Sequence, residues 1–264
     1  MSDSSIGWSP HWYLWEGGFL ALGRARGVVP PHSHHAIQVV LAGDGEVLIS
    51  GPDEIWHAAP GVIVQPDVTH SFDGNGFQGA MLFVDPESAE GQWLLRSVAG
   101  DVTLLTAPRV ERIMGELRAF QERPQEAMEF AAMVRHTVQA LCVGPPPTRK
   151  MDERVLKVLD AIRSSDLKLP LEDAAALVFL SPSRFAHLFT EHVGLPFRRY
   201  MLWRKLMRAM VQRGHGLNLT EAAHAGGFSD SAHLTRTFYQ MFGIPPSVML
   251  QGEFTATESP FRPL

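Results

Sequence analysis

The chain has 264 residues, a formal net charge of −5, and 45% apolar against 19% charged residues. That is globular composition, which argues against wholesale disorder, and a prior of about 150 residues per domain suggests two domains. The longest apolar run, Ala174 to Leu180, is far short of the ~20 residues a membrane span needs. No basic start or hydrophobic stretch follows Met1, so no signal peptide is expected. The single cysteine, Cys142, excludes an internal disulfide and a CxxC-type zinc site. The expected setting is cytoplasmic, with no membrane partner.

In chain order, the first half reads as β-structure. Short apolar stretches punctuated by Gly and Pro (Ile37–Leu41, Glu46–Ile49, Gly61–Val64, Ala80–Val84) predict the strands of a sandwich or barrel. Among them lie His32, His34, His35 and Gln38. Alternation along a strand puts His32 and His34 on one side and His35 on the other. Gly27, His32, His34, Gln38 and Gly45, followed by Pro60, Gly61 and His70, resemble the paired motifs of the cupin barrel. Gln38 stands where that pattern has an acid, and Gly74 where it has an Asn.

The resemblance implies that His70 joins His32 and His34. Three neutral imidazoles suit a zinc-like divalent ion with an open position. The same residues equally suit a metal-free effector pocket, with Gln38, Trp56 and Phe72 as further lining, or ordinary polar positions near a barrel mouth. Trp8, Trp12 and Trp15 are weaker wall candidates. From Arg109 to Cys142 the spacing is helical, broken at Pro124. This predicts two trailing helices whose apolar positions (Ile113, Leu117, Phe120; Met128, Ala131, Ala132, Val138, Leu141) pack on the barrel or on a second subunit.

The run Gly144-Pro145-Pro146-Pro147-Thr148 is a stiff connector. It divides the chain into 1–143, a linker at 144–150, and 151–264. Charge divides there too, with 8 basic and 17 acidic residues up to Pro147 and 15 and 11 beyond it. Between Ser181 and Arg213 stand seven Arg/Lys and one acid, Glu191, which suits a polyanion partner.

The second half is helical and repeats itself. At an offset of 48, Leu171, Ala174, Ala175 and Leu180 match Leu219, Ala222, Ala223 and Phe228. At 49, Phe185, Phe189, Val193, Gly194 and Pro196 match Leu234, Phe238, Phe242, Gly243 and Pro245. Each copy is a short helix, a turn and a longer helix, capped by Ser181 with Pro182 next, or by Asp230. A buried stripe in each longer helix leaves the other face exposed, as a helix-turn-helix requires. The helix from Pro196 to Arg213 joins the copies, with its own buried stripe at Tyr200, Trp203, Leu206 and Met210.

Residues ~151–250 resemble the AraC-type DNA-binding domain. The carrying segments are Gly227 through Phe238 with Phe242-Gly243-Ile244-Pro245-Pro246, and Leu180 through Phe185 with Leu188-Phe189, Gly194 and Pro196. The resemblance places DNA contacts at Ser183, Arg184, Ala186 and His187, and at Ser231, Ala232, His233, Thr235 and Arg236. Phosphate candidates are Arg198, Arg199, Arg204, Lys205 and Arg208. It also implies a homodimer, an effector-binding N-terminal domain and, for an activator, contact with RNA polymerase.

The fold expected is thus α+β in two domains: a cupin-like β-barrel with two trailing helices, then an all-α double helix-turn-helix. The function expected is a DNA-binding transcription regulator sensing a small molecule or metal ion, not an enzyme. The alternative is a cupin-type metal-dependent enzyme with an appended DNA-binding domain. The missing acid, and the lack of any paired base and nucleophile, count against that alternative.

Overall fold

The computed structural model describes residues 6–121, 127–146, 151–164, 167–257 and 259–260. Residues 147–150 of the expected linker, Pro124, and the side chains of Trp8 and Met128 lie outside them. The first part contains β1 (Gly7–Trp15), β2 (Gly18–Arg26), β3 (Val28–His32), β4 (Ile37–Ala42) and β5 (Val47–Ser50). Then come β6 (Trp56–Ala59), β7 (Gly61–Val64), β8 (His70–Asp73) and β9 (Gln78–Val84). After these come α1 (Ala89–Arg96), β10 (Val102–Leu105), α2 (Ala107–Gln121) and α3 (Ala127–Leu141).

The helical part has α4 (Glu153–Ser164), α5 (Leu171–Leu177), α6 (Pro182–Val193) and α7 (Phe197–Gly214). It ends with α8 (Leu219–Ala225), α9 (Ser231–Phe242), α10 (Pro246–Met249) and β11 (Glu253–Ala256). This is the expected α+β arrangement with three departures. Helix α1 and strand β10 were not foreseen. The tail after Met249 is extended rather than helical, and β11 pairs in parallel with β1 as an added edge strand.

Two sheets face each other, in the orders β10-β7-β4-β9-β2-β1-β11 and β3-β8-β5-β6. Both faces of the larger sheet are covered, which is why every residue of β4 is buried. Tyr13, Trp15, Leu20, Val39 and Leu82 pack on one face against Val110, Ile113, Leu117, Phe130, Val134, Val138 and Leu141. The trailing helices therefore cover their own barrel. Trp12, Phe19, Val40, Val62 and Phe83 line the other face.

That second face shares one core with the helical part. Trp203, Leu206, Met210, Leu234, Phe238, Phe242 and Met249 belong to the same buried cluster as Trp12, Phe19 and Phe72. The first helical repeat has a core of its own, built on Val155, Leu159, Phe185, Phe189, Phe197 and Tyr200. Helix α7 takes part in both.

Where α7 meets the barrel, charges are buried. Arg204 is 3% exposed, with its guanidinium nitrogens 3.4 Å from Glu16 and 3.5 Å from Asp85. Beside it, His35 Nε2 lies 2.9 Å from Glu87 and its Nδ1 3.5 Å from Asp67. Burial alone would lower the His35 pKa, but Glu87 and Asp67 outweigh it and push it up to about 10. Asp85 is held well above the usual carboxylate range by burial and by Glu87.

A histidine whose folded pKa exceeds its unfolded value of about 6.5 contributes stability in full below about pH 6.5 and loses it as the pH rises through the folded value. The thermal midpoint of the full chain should therefore decline between pH 6.5 and about 10. In His35→Gln that decline should be shallower. Parallel melting curves for the two proteins would show His35 to be silent if their pH dependences coincide.

Candidate nucleic-acid interface and histidine centre

Each helical repeat is built by matching local devices. The Ser181 hydroxyl accepts from Arg184 N–H at 3.4 Å, and Pro182 fills the first turn of α6. In α9 the Asp230 carboxylate accepts from His233 N–H at 2.7 Å. Both long helices end on a left-handed glycine, Gly194 (φ 84°) and Gly243 (φ 71°). The turn inside each repeat also demands a left-handed residue. Copy two supplies Gly227 (φ 84°), whereas copy one places Phe179 there (φ 57°), with its side chain 93% exposed.

On α6, Ser183, Arg184 and His187 are exposed and Ala186 is half-buried. On α9, Ala232 and Arg236 are exposed, while Ser231, His233 and Thr235 are half-buried. His233 is engaged locally, its Nδ1 3.3 Å from Ser229 Oγ and its ring edge-on to Phe228. Thr235 donates its hydroxyl proton to Ser231 O at 2.8 Å.

Along α7, Arg198 and Arg199 are exposed and Lys205 and Arg208 half-buried. Arg204 is a correction. It was expected among the phosphate contacts, but it points into the barrel. Its position explains this: it is four residues after Tyr200 and three before Met207, both buried, so it lies on the packed stripe of the helix.

The histidine centre forms where β3 and β8 pair, with His32 opposite His70. His34 lies just beyond the end of β3 and still turns inward. His35 faces the other way, toward Glu87. The ligand-capable atoms of His32, His34 and His70 lie within 4.8 Å of one another.

Each ring has its Nδ1 on a backbone carbonyl two residues away: Pro30 at 2.9 Å, Ala36 at 3.1 Å and Val68 at 2.9 Å. A carbonyl only accepts, so Nδ1 carries the proton and Nε2 the lone pair. Burial lowers all three pKa values, and the neighbouring rings add to it at His34 and His70, with that of His34 brought to about 3. All three rings are neutral at ordinary pH. Gln38 Oε1 sits 3.0 Å from His34 Nε2 and 2.8 Å from His70 Nε2. Lone pairs thus meet lone pairs, which either a cation between them or a turned amide, NH2 end inward, would satisfy. The residues present fit a metal ion.

The cavity here is about 20 Å³, lined by Val29, His32, Gln38, Phe72, Met81, Phe83, Phe242, Ile244 and Met249. Its last three residues come from the helical part. Phe242, at the end of α9, lies 5.8 Å from the His34 ring. Sequence reasoning missed this roof. Trp56 is the second correction: it is 46% exposed on β6 and absent from the lining. Trp12 and Trp15 are core residues.

Residues 174–252 match the helix-turn-helix domain family. The helical half thus contains a helix-turn-helix domain. Over 109 residues the chain is 29% identical to the regulatory protein PocR of Salmonella typhimurium, covering 41% of this chain and 35% of that one. It is 30% identical over 89 residues to the uncharacterized HTH-type transcriptional regulator YpdC of Escherichia coli, covering 33% and 30%. The chain thus spans about a third of the length of the curated relatives it matches.

In fold it is similar to apo ToxT of Vibrio cholerae, with a TM-score of 0.59 at 9% identity over 90% of this chain and 98% of that one. The unsaturated fatty acid bound ToxT gives 0.55 at 11% identity, over 95% and 97%. These structures cover both the barrel and the helical half. Among the described residues no helix is long and apolar enough to cross a membrane.

Removing one partner of a buried ion pair costs about 3–5 kcal/mol. Arg204→Ala should lower unfolding free energy by about that much in denaturant titrations. The salt slope of DNA binding should stay unchanged, whereas loss of a true phosphate contact would reduce it by about one.

Proposed function

We propose that the chain is a DNA-binding transcription regulator. Residues 151–264 hold DNA through α6 and α9, and the barrel of residues 1–143 senses an effector. The AraC-type match carries the first part. The cavity carries the second, because about 20 Å³ is room for one ion or water and no more. A metal ion on His32, His34 and His70, with Gln38 as a neutral fourth donor, is therefore favoured over an organic effector. A fatty acid, the ligand named for ToxT, exceeds this cavity. No chemical turnover is assigned, since among the described residues the lining holds no acid or nucleophile beside His32.

The signal would run through contact. The roof residue Phe242 ends the helix that carries Arg236 at its exposed face, so ion capture and α9 placement share one equilibrium. In this reading a second copy supplies the other half of the operator contact, and an activator would further engage RNA polymerase.

With roughly five phosphate contacts, DNA affinity of the full chain should fall with a log–log salt slope of about −4.5. Arg236→Ala should relax preference at one or two base pairs, a loss of about 1–3 kcal/mol of discrimination, while Arg198→Ala weakens all sequences alike. Binding-site selection with the two variants checks this, and unchanged specificity in Arg236→Ala would remove α9 from the groove. For the sensor, metal analysis of the purified full chain and of His34→Ala should show about one ion lost per chain.

A further inference from the structure

The donor set of the histidine centre is uncharged. The ligand-capable atoms of His32, His34 and His70 lie within 4.8 Å of one another, and His32 and Gln38 also line a cavity whose other walls are Val29, Phe72, Met81, Phe83, Phe242, Ile244 and Met249. Among the described residues no carboxylate lines it. The buried acids Asp85 and Glu87 are engaged with Arg204 and His35. Transfer of an ion from water into such surroundings is costly, and the cost grows with the square of the charge, so a monocation pays roughly a quarter of what a dication does. Two of the walls, Met81 and Met249, carry thioether sulfur, a soft donor that prefers Cu(I) over harder ions.

We propose that this cavity is a site for a soft monovalent ion of the Cu(I) class, held by His32, His34 and His70 and closed by methionine thioether. The proposal rests on the sensor reading above and narrows it, replacing the zinc-like dication with a monocation. It also gives Gln38 a reason to be an amide: a carboxylate there would favour dications. Because Met249 lies in α10, directly after the second reading helix, one of the two sulfurs belongs to the DNA-binding half.

The test uses the full chain under anaerobic conditions, titrated separately with Cu(I) and Zn(II) against chromophoric chelators of known affinity. One Cu(I) should bind per chain, at least a hundredfold more tightly than Zn(II), with sulfur among its neighbours in X-ray absorption. Met249→Leu and Met81→Leu keep the volume; one or both should weaken Cu(I) at least tenfold while leaving Zn(II) unchanged. Gln38→Glu should shift the preference toward Zn(II) by at least tenfold. Tight Zn(II) with no Cu(I) preference, or a copper spectrum with nitrogen and oxygen neighbours only, overturns the proposal while leaving a metal sensor standing. Binding of neither ion overturns the metal reading itself, and the proposal with it.

Discussion

The placement of one guanidinium organises the molecule. Arg204 is carried on α7 into the barrel, where Glu16 and Asp85 meet it and where burial permits no uncompensated charge. Such an interaction adds little net stability, because desolvation offsets most of the attraction. What it fixes is position. Any rotation or slide of α7 would part Arg204 from Glu16 and Asp85 and leave its charge buried without a partner. Since α7 joins the two helix-turn-helix copies, fixing α7 fixes the second copy on the barrel, and the shared core of Trp203, Phe238 and Phe242 with Phe19 and Phe83 then forms around it.

Much of this was legible from residue order. The repeat, its caps at Ser181 and Asp230, and the left-handed glycines at Gly194 and Gly243 are local devices, and each acts within a few residues of where it is written. The barrel strands were legible for the same reason. Arg204 was misplaced because charge was read as exposure; its spacing from Tyr200 and Met207 was the available signal. Trp56 was misplaced because an aromatic residue on a four-residue edge strand says nothing of which face it takes. The roof over the histidines was invisible. Phe242, Ile244 and Met249 have no sequence relation to His32, and only the docking of two halves brings them together.

The histidine centre shows how local chemistry survives that long-range assembly. Each imidazole is oriented by a carbonyl two residues from itself, so its tautomer is settled by β3 and the loops after β3 and before β8, with no contribution from the helical half. What the helical half adds is enclosure. Gly243 sits so close to His32 that a Cβ there would lie 2.9 Å from Pro30 O and 3.2 Å from His32 Nδ1. The close approach explains why the left-handed cap of α9 is a glycine for two independent reasons, its backbone angle and its neighbour.

This closeness has a thermodynamic corollary. A ligand that shifts the preferred position of α9 must be bound more tightly by one arrangement than by the other, and DNA that selects an arrangement must change ligand affinity by the same factor. The device needs no long relay. From the Arg236 face to the His34 ring the path is a single helix, six residues from Arg236 to Phe242, and one ring contact. Packed helices transmit displacement because their side chains interdigitate without voids. A sub-ångström adjustment of His32 or His34 around an ion is therefore felt at Phe242 as a clash or a gap, and through Phe242 by α9, whose buried face belongs to the same core.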